Sequence, residues 1–534
     1  MKLRKCLFAA AAAVVLVFAQ GADAKTFRFA FQGDAQSLDP HGLNETFTLG
    51  FLGNVYEGLA QYDGDLNLIP ALATSWKVTS PTTWRFNLRK GVKFHNGDPF
   101  TADDVIFSWK RTLTEGSDQK VRGGLIKDIV KIDDHTIDVI TPVPTPTLVR
   151  ELTNIYIMDK KWSEAHNATE AASPKDAGRE NAYASQHENG TGPFTIAERQ
   201  PDVKTVFKRF AGYWGNDQIA TNVTEVVFTP VSQDATRVAA LLSGDLDLAY
   251  PVPVQDWDRL NKAPGVKALT GPEARTIFLG MDQWRDELLY SDVKGKNPFK
   301  DKRVREAFAH AIDLNAIKKK VMRGASNPTG LMLAPQINGF NAKLNKPYKF
   351  DLAKSKRLLA EAGYPNGFKL TLDCPNNRYV NDEKICQAVA GLLAKAGIKV
   401  NVFAQPKSKY FAKVATQNDN DTSMYLLGWT PGSIDVFNVL NNLIVCMNNK
   451  EKRGQFNYGR YCNPRIDELT AKIGEETDPT KRQAMVDEAF TILRNDVGYL
   501  PLHQQPLSWG VREGVSVAQR PDNVLDFRNV VINK

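Results

Sequence analysis

The sequence of 534 residues is poor in the residues and motifs that build metal and catalytic sites. Its seven histidines form no cluster, so neither a nickel site nor another resident metal is expected. The patterns Gly-x-Ser-x-Gly, His-Glu-x-x-His and the phosphate loop are absent, which argues against an enzyme that uses one of them. No cofactor is expected. An exported hydrolase whose catalytic residues come together only in the fold stays open as an alternative.

Long hydrophobic runs are also missing. The apolar run at residues 7–19 is short for a membrane span, follows Lys2, Arg4 and Lys5, and precedes Ala-Asp-Ala at 22–24. This order predicts a cleavable signal peptide at residues 1–24. Cys6 precedes the apolar run instead of marking its cleavage point, so a periplasmic protein without a lipid anchor is favoured.

The charge balance argues against a nucleic-acid partner. The formal net charge is +8, but the 68 basic residues are dispersed among 60 acidic ones. The densest basic groups, at 294–303 and 318–320, are not interleaved with aromatic residues that could stack on bases. A solvated basic surface is the simpler interpretation.

Cysteine is scarce, and four cysteines remain after residue 24: Cys374, Cys386, Cys446 and Cys462. Four cysteines allow three pairings, and an exported chain is expected to form disulfides. Proximity in sequence favours Cys374–Cys386 and Cys446–Cys462. A zinc site is the competing interpretation, but the chain has no Cys-x-x-Cys and no histidine close to these positions.

The composition that is present, with 42% hydrophobic and 24% charged residues, is typical of a globular protein of several domains. A helix at 235–242 leads into a strand at 244–249, a unit that builds open α/β sheets. Residues 32–48 read as a polar loop that lines a cleft. Strands are predicted at 26–31, 136–140, 275–281, 399–403 and 423–428, and helices at 301–322, 351–362, 382–396 and 478–496.

Residues 84–105 form the most informative block of the chain. Trp84, Phe86 and Leu88 alternate with polar residues as in a half-buried strand, and Thr101 can cap a following helix. The block closely resembles the signature of the family-5 extracellular solute-binding proteins, the peptide- and nickel-binding receptors of bacterial ABC importers. Further matches in the same order lie at 37–40, 56–59, 70–76, 190–194, 303–313 and 358–368.

This resemblance implies an α/β, two-lobed periplasmic-binding-protein fold of type II, hinged, with an additional inserted domain. The implied division places the first lobe at 25–55, 189–285 and 503–534, the inserted domain at 56–188, and the second lobe at 286–502. The chain would be a monomer that captures a short peptide or peptide-like solute in the periplasm. It would deliver this solute to an inner-membrane ABC permease with its ATPase subunits.

Other cargoes of the same kind of importer remain alternatives, namely an opine, glutathione or a metal chelate. A role as a periplasmic chaperone or chemoreceptor adaptor could be added to any of them.

The first candidate for ligand binding is the segment 425–437, an apolar strand that runs into a Gly-Trp-Thr-Pro-Gly turn. In the peptide-binding relatives a matching tryptophan is followed three residues later by an aspartate that pairs with the ligand amine. Here Trp429 matches, but Gly432 stands at the aspartate position. Either Asp435 takes over the amine contact or this protein does not hold a free amine in that way. The alternatives are a helix-capping Asp435 and a core Trp429.

The second candidate is Arg378, whose guanidinium suits a ligand carboxylate, as in the dipeptide-binding relatives. Tyr379 is a neighbour that could stack on the ligand. A Cys374–Cys386 disulfide would brace this loop.

The third candidate is the loop with Leu43, Asn44 and Glu45, which in relatives offers backbone groups to an extended ligand. His41 is interpreted as a turn residue rather than a metal ligand.

Overall fold

The computed structural model describes residues 25–176, 178, 181–415 and 419–533. The predicted signal peptide at 1–24 lies outside these residues. The described part contains an eleven-stranded sheet, a four-stranded sheet and two small two-stranded sheets.

The strands follow the chain in this order: β1 Thr26–Phe31, β2 Ala60–Tyr62, β3 Leu68–Pro70, β4 Ala73–Ser80, β5 Thr83–Leu88, β6 Asp128–Asp133, β7 Thr136–Ile140, β8 Phe194–Gln200, β9 Lys204–Arg209, β10 Glu225–Pro230, β11 Leu248–Tyr250, β12 Val266–Met281, β13 Asn327–Pro328, β14 Lys369–Pro375, β15 Lys399–Gln405, β16 Met424–Trp429, β17 Leu500–Arg512, β18 Val515–Ser516 and β19 Val531–Ile532.

The α-helices are α1 Thr46–Leu52, α2 Ala102–Thr112, α3 Lys120–Gly123, α4 Leu148–Leu152, α5 Lys160–Ala165, α6 Tyr183–Gln186, α7 Asp234–Ser243, α8 Trp257–Lys262, α9 Lys302–Ala311, α10 Leu314–Ala316, α11 Leu352–Glu361, α12 Asp382–Ala394, α13 Lys407–Val414, α14 Val436–Val439, α15 Pro464–Glu475 and α16 Pro479–Asp496. Short 3₁₀ turns occupy Val254–Asp256, Pro298–Lys300 and Phe527–Asn529, and π-helical turns continue α10 and α14 at Ile317–Val321 and Leu440–Ile444.

Local signals in the sequence account for many of these boundaries. Thr101 and Asp104 form the reciprocal capping box of α2, which confirms the predicted helix start. Asp478 caps α16, and Pro479 follows it at the first helical position, where a missing N–H costs nothing. The predicted strands at 26–31 and 136–140 have the bounds of β1 and β7.

Several expectations differ from the structure. The helix predicted at 301–322 is interrupted, because Ile312 ends α9 in an extended conformation and α10 begins only after Asp313. The loop predicted at 32–48 ends earlier, because α1 begins at Thr46, where the Glu45 carboxylate accepts hydrogen bonds from the first turn. Within that loop Asp39 and His41 are fully buried and do not line a cleft. The strand predicted at 275–281 is the last part of the much longer β12.

The eleven-stranded sheet runs through two lobes. In the first lobe β1 lies parallel to both β10 and β11, and β9 and β8 follow antiparallel at the edge. In the second lobe β14 lies between β15 and β16 and is parallel to both. Helices and loops pack on the sheet around separate hydrophobic cores in each lobe.

The long antiparallel pair of β12 and β17 connects these two parts of the sheet. The start of β12, at 266–272, pairs with residues 506–512 of β17, which also pairs with β11 of the first lobe. The end of β12, at 276–281, pairs with β16 of the second lobe. A register shift between Pro272 and Thr276 separates the two parts, so one continuous strand bends between the lobes.

The four-stranded sheet has the order β4-β5-β7-β6 and its own core, in which Phe86, Ile137 and Val139 are fully buried. A buried ion pair links α2, which packs on this sheet, to the first lobe. The Arg111 guanidinium donates two hydrogen bonds of 2.7 Å to the Asp39 carboxylate, and neither side chain is exposed. His41 lies beside this pair, with Nδ1 3.2 Å from Arg111 Nη1.

Both cysteine pairs that proximity favoured are present as disulfides, Cys374–Cys386 and Cys446–Cys462. The first joins β14 to α12 on either side of the loop that carries Arg378. Among the described helices, none combines the length and the apolar character that crossing a membrane requires.

Replacing Asp39 by asparagine should lower the free energy of unfolding by about 3–5 kcal/mol, because Arg111 would keep its charge in a dry site without a counter-ion. Chemical denaturation at neutral pH measures this loss. The exposed pair of Asp103 and Lys131 provides the control, and Asp103→Asn should cost less than about 1 kcal/mol. Equal effects of the two substitutions would contradict a structural role for the Asp39 pair.

The stability that the Asp39–Arg111 pair contributes should depend on pH in a defined way. Burial raises the pKa of Asp39, but Arg111 outweighs it and holds the pKa below the ordinary value. The contribution of Asp39 to stability is therefore complete above about pH 4, the ordinary pKa of an aspartate. It is lost as the pH falls through the lower pKa that Asp39 has in the folded protein. Asp39→Asn should remove this part of the acid dependence in denaturation curves measured across that range.

Candidate ligand-binding site

A large cavity lies between the lobes and the unit built on the four-stranded sheet. The space between its lining atoms is about 1320 Å³, which includes open solvent at its mouth. The loop before α1 and the start of α1 supply one wall, residues 427–434 at the end of β16 supply another, and residues 520–528 a third. Seven of the eight residues that the sequence predicts for ligand binding line it: Leu43, Asn44, Glu45, Arg378, Tyr379, Trp429 and Gly432.

Aromatic side chains form the apolar part of the wall. Trp429 ends β16 and packs against Phe456, with 4.9 Å between the ring centroids, and its Nε1 donates to Asn438 Oδ1 at 3.0 Å. Tyr379 is almost fully buried and donates its hydroxyl proton to the carbonyl of Gly428. The indole of Trp429 is therefore held in place while part of its surface faces the cavity.

A cluster of three buried charges, two of which line the cavity, connects one lobe to the other. Glu45 of the first lobe has its carboxylate 3.0 Å from Arg378 Nη2 and 3.4 Å from Lys407 Nζ. The same carboxylate caps α1 by accepting from the backbone N–H groups of Phe47 and Thr48. Arg378 Nε is buried without a hydrogen-bond partner, so the guanidinium keeps a donor for a further group.

The electrostatics of this cluster favour the charged forms of Glu45 and Arg378, whereas burial lowers the pKa of Lys407. Burial raises the pKa of Glu45, but the charges of Arg378 and Lys407 outweigh burial and hold this pKa below the ordinary value. Burial raises the pKa of Asp382 to about 7, although this carboxylate accepts hydrogen bonds from the backbone N–H groups of Arg378 and Tyr379. Asp382 thereby fixes the loop that presents both residues.

Gly432 faces residues of the unit built on the four-stranded sheet. Its carbonyl accepts from Asn154 Nδ2 at 3.3 Å. A Cβ atom at this position would lie 2.6 Å from Asn154 Nδ2 and 2.7 Å from Arg122 Nη2. The absence of a side chain at Gly432 therefore leaves room for the ends of two longer side chains.

Asp435 is placed differently from the other predicted residues, because it does not line the cavity. Its carboxylate caps α14 through the N–H of Phe437 at 2.8 Å. It also accepts from Arg482 at 2.6 and 3.1 Å and from Asn338 at 2.8 Å. The structure thus gives Asp435 the capping position that the sequence offered as the alternative, and both oxygens are used within the protein.

Several cavity residues were not anticipated from the sequence. Arg520 pairs with Asp522, and Arg528 pairs with Asp526, each with a contact shorter than 3.0 Å. Glu57 accepts from Tyr213, Trp214 and Thr191, and burial raises its pKa. The clustered charges at 520–528 were visible in the sequence, but no local pattern indicated that they face a cavity. Arg122, Asn154 and Lys175 gave no signal at all.

The described residues contain no group of three or more histidine, cysteine, aspartate or glutamate side chains that could hold a metal ion. The arrangement instead suits a small solute held by aromatic surface and a few fixed polar groups.

Comparison with known families agrees with this geometry. The model of the bacterial extracellular solute-binding proteins, family 5, matches residues 67–451. The chain is also similar to the glutathione-binding protein GsiB of Shigella flexneri, with 28% identity over 506 residues that cover 93% of each chain.

Solved structures resemble the whole fold. The periplasmic binding protein DppA from Helicobacter pylori, in complex with the peptide STSA, is similar with a TM-score of 0.84 and 25% identity, over 96% of this chain and 98% of that one. The binding protein AgaA from A. tumefacien, in complex with agropinic acid, shares the fold with a TM-score of 0.83 and 23% identity, over 96% and 99% of the two chains.

Replacing Glu45 by glutamine should weaken the connection between the lobes, because Arg378 and Lys407 would remain buried without their counter-charge. We expect the free energy of unfolding to fall by about 3 kcal/mol and small-angle scattering to show a larger radius of gyration. Glu468→Gln, in the exposed pair with Arg465, is the matched control and should change neither quantity measurably. A Glu45→Gln protein with unchanged stability and dimensions would refute the role of this cluster.

Proposed function

The chain belongs to the bacterial extracellular solute-binding proteins of family 5, and from this premise we propose that it captures a short peptide or peptide-like solute for an ABC importer. The cavity between the lobes is the observation that carries the proposal, since residues from both lobes line it. A solute bound there would be contacted from both sides, so binding would favour the closed arrangement of the lobes. Delivery to an inner-membrane permease with its ATPase subunits follows from the family.

The location and organisation of the chain are part of the same proposal. Residues 1–24 would direct export to the periplasm and be removed. The first lobe at 25–55, 189–285 and 503–534, the inserted domain at 56–188 and the second lobe at 286–502 would move as units about β12 and β17. The pairing of these two strands with neighbours on both sides supports a hinge at this point. The protein would act as a monomer, bind no nucleic acid and catalyse no reaction.

The proposed binding residues divide into an apolar wall and polar contacts. Trp429 and Tyr379 would cover the apolar surface of the cargo, and Leu43 and Asn44 would border its backbone. Arg378 would bind a carboxylate of the cargo, because its Nε is unpaired and its cluster with Lys407 and Glu45 carries one more positive charge than negative.

The cargo class is supported by the relatives, whose names include glutathione, the peptide STSA and agropinic acid. An opine therefore remains the second candidate cargo, favoured by the similarity to the agropinic acid complex.

Calorimetry with a pool of di- and tripeptides, followed by mass spectrometry of the bound fraction, tests this function. We expect stoichiometric binding, a raised melting temperature and recovery of unchanged peptide, because a ligand that binds only the folded form stabilises it. Turnover of the peptides would show an enzyme. No binding of any peptide would refute the proposed cargo class.

Arg378→Gln should weaken the binding of peptides with a free carboxyl end by about tenfold or more and change the binding of their amides little. The ratio of the two affinities, measured by calorimetry, separates a lost carboxylate contact from a general loss of structure. Arg357→Gln removes the same charge from an exposed pair with Glu361 and should leave the ratio unchanged. An equal loss for acids and amides would contradict the assignment of Arg378.

A further inference from the structure

Arg122 lies in the short helix α3, and its guanidinium lines the cavity although the residue is only 4% exposed. Nη1 donates to Asn44 Oδ1 at 3.2 Å and to Gln119 Oε1, and Nε lies 3.5 Å from a carboxylate oxygen of Glu151 without a hydrogen bond. Within the part of the chain that the structure describes, no hydrogen bond occupies Nη2. A buried cation thus keeps unused donors at the cavity wall.

Arg122 Nη2 and Asn154 Nδ2 reach the backbone of Gly432, because residue 432 has no side chain to exclude them. A Cβ there would come within 2.7 Å of this nitrogen and within 2.6 Å of Asn154 Nδ2. Asn154 Nδ2 already donates to the carbonyl of Gly432 at 3.3 Å and to Thr153 Oγ1 at 3.5 Å, so the donor left at this point of the cavity wall is Arg122 Nη2. A guanidinium nitrogen with unused N–H groups suits an oxygen-bearing anion such as a carboxylate.

The acidic groups of the cavity offer no comparable place for an ammonium group. Four carboxylates line it, and each one is engaged within the protein. Glu45 is paired with Arg378, Asp522 with Arg520, and Asp526 with Arg528, whereas Glu57 accepts three hydrogen bonds from neutral donors. An ammonium ion would have to displace one of these partners and leave it unpaired, which is costly in a buried site.

We propose that Arg122, beside Gly432, forms an anion subsite, and that the cargo is a peptide-like solute with an acidic group at this end instead of a free amine. The inference rests on the proposed function, in which Arg378 binds the carboxyl end. Together the two arginines select a diacid, such as a peptide whose amino end is acylated by a dicarboxylic acid.

Three forms of dialanine that differ only at the amino end test this selection by calorimetry on the full mature chain: the free amine, the acetyl derivative and the succinyl derivative. We expect succinyl-dialanine to bind at least about tenfold more tightly than acetyl-dialanine, which in turn binds more tightly than the amine. Succinyl binding that is no tighter than acetyl binding, or amine binding that is the tightest, overturns the subsite.

Substitutions at residue 432 test the site without removing a buried charge. Gly432→Asp introduces a carboxylate beside Arg122, so the preference for the succinyl form should disappear and the free amine should gain relative to the acetyl form. Gly432→Asn adds a side chain of nearly the same size without charge and should keep the original order. The same response from both variants would attribute the effect to volume and overturn the electrostatic account.

Arg122→Gln should reduce the ratio of succinyl to acetyl affinity to about one, whereas Lys120→Gln, in the same helix but outside the cavity, should leave the ratio unchanged. A ratio that persists in Arg122→Gln overturns the assignment to Arg122. These outcomes are distinct from failure of the proposed function, in which no peptide of any kind binds and this inference falls with it.

Discussion

The ladder between β12 and β17 is the connection on which the two-lobed arrangement depends. One strand of sixteen residues and one of thirteen run through both halves of the large sheet, and the register shift at Pro272 marks where their pairing changes. Backbone pairing on both sides of the shift keeps the lobes in one sheet, while the shift gives the strand a place to bend. The cavity walls at 43–45 and 427–434 therefore meet at a position that this ladder defines.

The cost of removing charged groups from water limits which charges can be buried at the cavity. Glu45, Arg378 and Lys407 come from distant parts of the chain, and each depends on the others because a lone buried charge is expensive. The carboxylates are all engaged internally, whereas Arg122 and Arg378 keep unused donors. The polar character of the site is thus biased towards acceptor groups on the bound solute.

The fold and most of the cavity wall could be predicted because their signals are local or belong to a recognisable block. Residues 84–105 contain a complete strand, turn and capped helix, and the glycine-rich turn after Trp429 is a contiguous motif. The role of Asp435 depends on Arg482, which approaches only when α16 packs nearby. Arg122 reaches the cavity because α3 packs against α2, and no pattern along the chain indicates this contact.

The order of strands in the large sheet also constrains how the molecule can assemble. β17 lies between β11 and β12, yet it is synthesised after every strand of the second lobe. The second lobe can therefore condense from nearly contiguous chain, whereas the first lobe stays incomplete until its late strand inserts beside β11. Contacts of such long sequence separation form slowly, so the edge of β11 stays unpaired until the last part of the chain reaches it, and this edge is exposed to aggregation during folding.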